Sequence, residues 1–161
     1  MACEYIANQL QTVALNAPIV FYDSIPCQRG LIYHEDGTGV FQIRGRNNNI
    51  RRCNCCQEDT SDYLVRFVGN VAIPEDGTVG PIALAITIGG EPIDASRSIV
   101  TPAAVGDFWN IVTEKVVKIP CGCCPSVSVE YVNGSVNDPT FVPTPVIQQI
   151  NGKLTIYSDF D

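Results

Sequence analysis

Hydrophobic and polar residues alternate with a period of two along most of this chain, which is typical of strands that bury one face. The alternation is clearest at 63–73, 82–88, 109–119 and 127–131, and shorter apolar runs stand at 12–22, 31–33, 39–44, 98–101 and 153–157. Turn residues such as Pro74-Glu75-Asp76-Gly77 and Gly89-Gly90 separate them. Because convincing amphipathic helices are lacking, the pattern predicts an all-β protein, a jelly-roll β-sandwich.

The 161 residues suit a single domain, and neither a repeat nor a linker divides them. Residues 1–10 are expected to form an N-terminal arm, and 46–61 a polar loop. Residues 133–149 contain Asn133-Gly134 and several prolines, which remove donors from a strand ladder. This second segment is therefore expected to be an inserted loop or an arm that lies on a surface.

The charge balance excludes some partners. The formal net charge of −7 disfavours nucleic acid, because an acidic surface repels phosphates. Apolar runs of about 18 residues are absent, so a membrane span is not expected. The first residues lack a positive stretch and an apolar stretch, so we expect a protein made in a bacterial cytoplasm without a secretory signal.

Residues for catalysis are scarce. The chain has one histidine, His34, which stands beside Glu35 and Asp36 and is either a corner of a metal site or a turn residue. A Gly-x-Ser-x-Gly motif is absent, so we expect no enzymatic activity and no cofactor, except that zinc is considered below. A local group of cations, Arg46, Arg51 and Arg52, is a candidate binding patch for an acidic partner, or a solvated loop balanced by nearby carboxylates.

Cysteines form the most specific motif. Two copies of Cys-x-Cys-Cys provide six sulfurs, from Cys53, Cys55, Cys56, Cys121, Cys123 and Cys124. In the strand order of a jelly roll, the loops that contain the two copies emerge at the same end of the domain. We therefore expect the clusters to meet, within one chain or between subunits. Disulfides are favoured, while a zinc site of four thiolates and plain reduced thiols are the alternatives.

Several segments carry a resemblance to a known group of proteins. They are Gln11-Thr12-Val13, the run from Ile25 through Gly39, Val79-Gly80-Pro81-Ile82-Ala83-Leu84-Ala85, Ile99-Val100-Thr101-Pro102-Ala103-Ala104-Val105 and Pro120-Cys121-Gly122-Cys123-Cys124. The chain resembles small proteins of gut Firmicutes and their phages that are similar to the tumour-necrosis-factor-like, complement-head-like jelly roll. The resemblance implies a compact trimer used for display or binding, and it does not extend to 46–61 or 133–149.

Mean hydropathy adds a physical reason for self-association. Its value of +0.11 is high for a soluble monomer, and a jelly roll buries apolar residues of an outward sheet face only against copies of itself. We thus expect a homotrimer on the surface of a phage virion, as a structural or adhesive protein of the capsid-decoration or head-fibre type. Its partners would be the major capsid protein or another virion protein, and a host surface glycan. The alternative is a bacterial spore or cell-surface module that recognises glycan or protein.

Overall fold

A computed structural model describes residues 2–25, 31–45, 60–120, 122–134, 138 and 140–158. Twelve strands are present in this part of the chain: β1 Ala2–Ala7, β2 Gln11–Ala14, β3 Asp23–Ile25, β4 Ile32–His34, β5 Phe41–Ile43, β6 Thr60–Ala72, β7 Ile82–Ile88, β8 Glu91–Pro92, β9 Ser98–Val100, β10 Trp109–Pro120, β11 Ser126–Val132 and β12 Val146–Ser158. One 3-10 turn, Asp94–Ser96, precedes β9. Within the described ranges no helix has the length and apolarity to cross a membrane.

Two antiparallel sheets form the sandwich. Sheet A has the order β10-β6-β12-β1-β3, with β2 also paired to β12. Sheet B has the order β4-β5-β11-β7-β8, with β9 also paired to β7. The predicted all-β jelly roll is therefore confirmed, and the alternation seen in the sequence explains it, because one parity of each long strand enters the core between the sheets.

The core is built from the residues whose alternation predicted the strands. Tyr63, Val65 and Phe67 from β6 meet Ile82, Leu84 and Ile86 from β7, and all six are fully buried. A cluster of perpendicular aromatic rings fills the space between them and β5, with Phe21 and Phe67 centred 6.2 Å apart and Phe21 and Phe41 5.4 Å apart.

The prediction of an N-terminal arm at 1–10 was wrong. Ala2–Ala7 is β1, which lies inside sheet A between β12 and β3. Cys3, Tyr5 and Ala7 face the core and are buried, while Glu4 and Ile6 face outward. Burial raises the pKa of Tyr5 to about 12, so its hydroxyl stays protonated at physiological pH. A segment with this alternation and burial is structural.

The prediction of a loop or arm throughout 133–149 was wrong at its C-terminal end. Val146–Gln149 belongs to β12 and pairs with β2 and β6. Ile147 and Gln149 are fully buried, so removing this segment would open the core. The preceding residues are tied to the domain as well, since the Tyr131 hydroxyl donates a hydrogen bond to the Thr144 carbonyl at 2.7 Å.

Candidate functional site

The outward side of sheet A carries two rows of apolar side chains, which we call the apolar face. In the first row, Val116 lies opposite Leu64, Leu64 opposite Tyr157, and Tyr157 opposite Ala2. In the second row, Val112 lies opposite Val68, with Ile6 on the far side of Lys153. Ala2, Val112, Val116 and Tyr157 are exposed, and Ile6, Leu64 and Val68 are half-buried. Such contiguous exposed apolar surface on a sheet is typical of an interface.

Between and beside these rows stand charges of both signs. Arg66 Nε lies 3.9 Å from Glu114 Oε2, Lys118 Nζ 3.7 Å from Asp62 Oδ2, and Lys153 Nζ 3.4 Å from Glu4 Oε1. Each pair joins neighbouring strands of sheet A on its outward side. The apolar face is therefore nearly balanced in charge, although the whole chain carries −7. A second copy of the same face would meet little net repulsion.

The loops that hold the cysteine motifs leave the sandwich at one end. Thr60 pairs with Pro120, where β6 begins and β10 ends. The Gly45 amide, just before the 46–59 segment, donates to the Cys123 carbonyl at 2.9 Å, and the Gly89 amide donates to the Ser126 carbonyl at 2.8 Å. A Cβ on Gly45 would lie 2.1 Å from the Pro120 carbonyl oxygen, so only glycine fits this close approach. The predicted shared end is confirmed for these loop anchors.

Most of the predicted site residues lie outside the described part of the chain. This is true of Cys53, Cys55, Cys56, Cys121, Arg46, Arg51 and Arg52. Of the remaining cysteines of the two motifs, Cys123 is half-buried and Cys124 is exposed. Among the described residues, no group of three or more His, Cys, Asp or Glu side chains is placed to hold a metal ion. The predicted contact between the two cysteine clusters stays a prediction, as does the arginine patch.

The side chain of His34 packs against residues of the hydrophobic core. Its imidazole stacks on Phe41 with centroids 4.3 Å apart and meets the edge of Tyr5 at 5.1 Å. Nε2 lies 2.9 Å from the Thr38 carbonyl oxygen, so it donates there when it carries the proton. Nδ1 is 3.9 Å from Asp36 Oδ1. This packing fixes the turn between β4 and β5, which favours the structural interpretation of His34 over the metal corner.

The residues of the apolar face were not predicted, although the sequence contains a pattern that indicates them. On β10, the alternate side chains that point into the core include Ile111, Val117 and Ile119, and their spacing predicts the strand. The opposite parity of the same strand contains Val112 and Val116, where a sheet that faced water would show polar residues. Apolar residues on both parities of a strand in an antiparallel sheet indicate that its second face is also destined for burial.

Comparisons with known proteins agree with this architecture. No protein-family model matches the chain, and no curated protein matches it either. The globular domain of zebrafish complement 1qA protein is similar in structure, with a TM-score of 0.58 and 10% sequence identity over 99% of this chain and 97% of that chain. Eiger TNF from S. frugiperda has a TM-score of 0.60 and 9% identity over 100% of this chain and 93% of that chain. At such identities the likeness shows the fold alone. The chain thus has the jelly-roll fold of the tumour-necrosis-factor and complement 1q globular domains.

Proposed function

We propose that this protein is a non-enzymatic jelly-roll module that closes into a homotrimer through the apolar face of sheet A. The observation that carries the proposal is the apolar row formed by Val116, Leu64, Tyr157 and Ala2 across four neighbouring strands, in which every member except the half-buried Leu64 is exposed. Covering that row removes apolar surface from water, which is the main driving force of association.

Symmetry and charge support a copy of the same chain as the occupant. Most soluble oligomers are homo-oligomers with closed symmetry, and the resemblance of the sequence implies threefold closure. The three ion pairs on the apolar face are exposed or half-buried, so each contributes little to stability by itself. Their value in an interface is that they keep its net charge near zero and fix the register of the copies.

The trimer would serve as a structural or adhesive protein on the surface of a phage virion. The sequence resemblance is what supports this role, and with it a capsid or other virion protein as the partner. The alternative is a spore or cell-surface module of a bacterium that binds glycan or protein. Finding the chain by mass spectrometry in purified virions supports the first role, whereas retention on an array of bacterial glycans supports the second.

The experiment for self-association is sedimentation of the native protein beside two variants. Val112→Glu with Val116→Glu places two carboxylates in the apolar rows and is expected to give monomers. Val40→Glu is the control at an exposed valine elsewhere, because Val40 is as exposed as Val116, 44% against 47%, but lies immediately before β5 of sheet B. The control is expected to remain trimeric.

Two results would refute the proposal. One is a native protein that sediments as a monomer at micromolar concentration. The other is a pair of variants that dissociate equally, since the apolar face would then have no special part in assembly. Circular dichroism of both variants keeps dissociation distinct from unfolding.

A further inference from the structure

Three loops meet at the end of the sandwich that lies opposite the cysteine motifs. They comprise residues 73–81, residues 101–108, and the described residues 133–134, 138 and 140–145. The Gly106 amide donates to the Ile73 carbonyl at 2.8 Å, which joins the first two loops. The first and third touch at Gly77, where an added Cβ would lie 3.2 Å from Thr144 Oγ1. We call these loops, together with the adjoining Trp109, the acidic end.

Large hydrophobic side chains are exposed together on the acidic end. Each of the three loops contributes at least one of them, and Val142 reaches 83% exposure. Among the described residues of this end, they are Val79, Val105, Phe108, Trp109 and Val142. The end of a sandwich is not the face of a sheet, so closure of a trimer through the apolar face of sheet A does not account for this surface. Exposed apolar groups of this size mark a place where another molecule binds.

The charges on the acidic end have one sign. Glu75, Asp76, Asp107 and Asp138 are exposed there, and the described residues of the three loops include no lysine or arginine. Hydrogen bonds from the Thr140 side chain and amide lower the pKa of Asp138, so its carboxylate is ionised at neutral pH. The apolar face of sheet A, by contrast, pairs its carboxylates with cations. Carboxylates left without cations beside apolar side chains complement a ligand that is both cationic and apolar.

We propose that the acidic end docks a protein segment in which lysine or arginine side chains stand beside apolar ones. Nucleic acids and anionic lipids carry the same sign of charge as this surface and would be repelled. A neutral sugar would use the aromatic rings but would leave the carboxylates without a counter-charge. A basic, apolar segment satisfies both features, with its apolar side chains on the exposed valines and aromatics and its cations on the surrounding carboxylates.

Trp109 makes the test direct, because it is the only tryptophan of the chain and lies at the acidic end. The probe is a synthetic amphipathic peptide of lysine and leucine that contains no aromatic residue. Its control is a peptide of the same length and pattern with glutamate in place of lysine. We expect the lysine peptide, and not the glutamate peptide, to shift the emission of Trp109 to shorter wavelength, with an affinity that falls as salt is added.

Two triple variants with equal net charge separate this site from general attraction to an acidic protein. The first, Glu75→Gln with Asp76→Asn and Asp107→Asn, neutralises the acidic end and should weaken binding by about tenfold. The second, Glu35→Gln with Asp36→Asn and Asp94→Asn, neutralises exposed carboxylates elsewhere and should change affinity less than about twofold.

The possible outcomes are distinct. A shift of Trp109 emission that depends on lysine and on the three carboxylates of the acidic end supports the proposal. Equal loss of affinity in both variants means that net charge alone attracts the peptide, which overturns it, and so does a shift produced equally by the glutamate peptide. Concentration-dependent growth in mass that the first variant abolishes, without any peptide, would assign the acidic end to a second copy of this chain instead. Because Trp109 begins β10 of sheet A, sedimentation with and without the peptide is recorded beside the emission, so that peptide binding is distinguished from a change in the trimer.

Discussion

The outward faces of the two sheets differ in how much the chain itself buries. On sheet B, the outward residues of β7 are small and are already covered: Ala83 and Ala85 are fully buried, and Thr87 is nearly so. On the neighbouring β11, Ser128 is nearly buried and Glu130 is half-buried. On sheet A, the corresponding residues of β10 and β6 are large and remain accessible, as Val112 and Val116 show. This difference indicates that the outward face of sheet B is largely buried within the subunit, whereas the outward face of sheet A is available to a neighbouring molecule.

A charge on the covered face should have the largest effect. Ala85→Glu puts a carboxylate at a position with no exposure, directly opposite Glu130. Overpacking and an unpaired buried charge together are expected to lower the free energy of unfolding by at least about 3 kcal/mol. The contrast is measured by the urea midpoints of Ala85→Glu and Val116→Glu. Val116→Glu changes an exposed position, so its midpoint should equal that of a native subunit outside the trimer. Equal midpoints for the two variants would show that the outward face of sheet B is not buried at Ala85.

An intermediate effect is expected from reversing one charge on the apolar face. Arg66→Glu places two carboxylates opposite each other, since Arg66 and Glu114 are partners in the β6–β10 register. The reversal also leaves each copy of the apolar face with a net negative charge, so the copies repel one another, and association should weaken by about tenfold at low salt and by less at high salt. Adding Glu114→Arg should restore the native affinity. Sedimentation at several concentrations measures this, and failure of the double variant to recover would mean that the pair does more than balance charge.

The smallest effect concerns Glu130 on sheet B. Burial raises the pKa of the Glu130 carboxyl, Glu91 adds to the rise, and a hydrogen bond from Ser128 opposes it. Because the folded pKa lies above the unfolded one, this carboxylate costs stability at neutral pH, and the cost is relieved as pH falls through the folded pKa. Glu130→Gln should therefore stabilise the neutral protein by less than about 1 kcal/mol, since the group is largely solvated.

Thermal unfolding at neutral and acid pH checks that sign. The gain of Glu130→Gln should disappear in acid, where the native carboxyl is protonated as well. Glu35→Gln, on an exposed turn, is the control and should give no gain at either pH. A gain that grows in acid would contradict the burial of Glu130.

The sequence predicted the parts of the fold in which local pattern and tertiary burial agree. The alternation at 63–73 and 82–88 matches β6 and β7, because large apolar residues occupy every second position there. β1 was not predicted, although Cys3, Tyr5 and Ala7 also alternate. A short run that contains a cysteine, an alanine and a charge gives only a weak strand pattern. Its strand character comes from its neighbours β12 and β3, which sequence alone does not reveal.

The long β12 shows why a turn signal can mislead. The last strand was predicted at 153–157, and Asn151-Gly152, which stands just before it, is a typical turn dipeptide. In the structure Asn151 has a positive φ of 53° at an irregularity in the register, and β12 continues through it. Gly152 lies in a tight place, since a Cβ there would be 2.5 Å from Gln149 Nε2 and 3.0 Å from Phe67 Cε2. The dipeptide indicates a bulge, and only the long-range pairing distinguishes a bulge from a turn.

The candidate interface could have been located from sequence only in part. High mean hydropathy predicted that some outward face is buried by association. Which face it is depends on what covers β7 and β11, and residues such as Ala83 and Ala85 give no periodic signal to show that they are covered. The difference in burial between the two sheets is therefore visible only in the three-dimensional structure.

The most direct measurement of the central claim is hydroxyl-radical footprinting of two tyrosines in the native protein. Tyr157 lies in the apolar face of sheet A with 41% of its surface exposed in one subunit, and Tyr33 lies on β4 of sheet B with 66% exposed. If three copies of the 17.5 kDa chain assemble to about 52 kDa through the apolar face, Tyr157 should be protected from oxidation and should become reactive on dilution, while Tyr33 stays reactive throughout. Oxidation of Tyr157 at the same rate in concentrated and dilute protein would contradict the account.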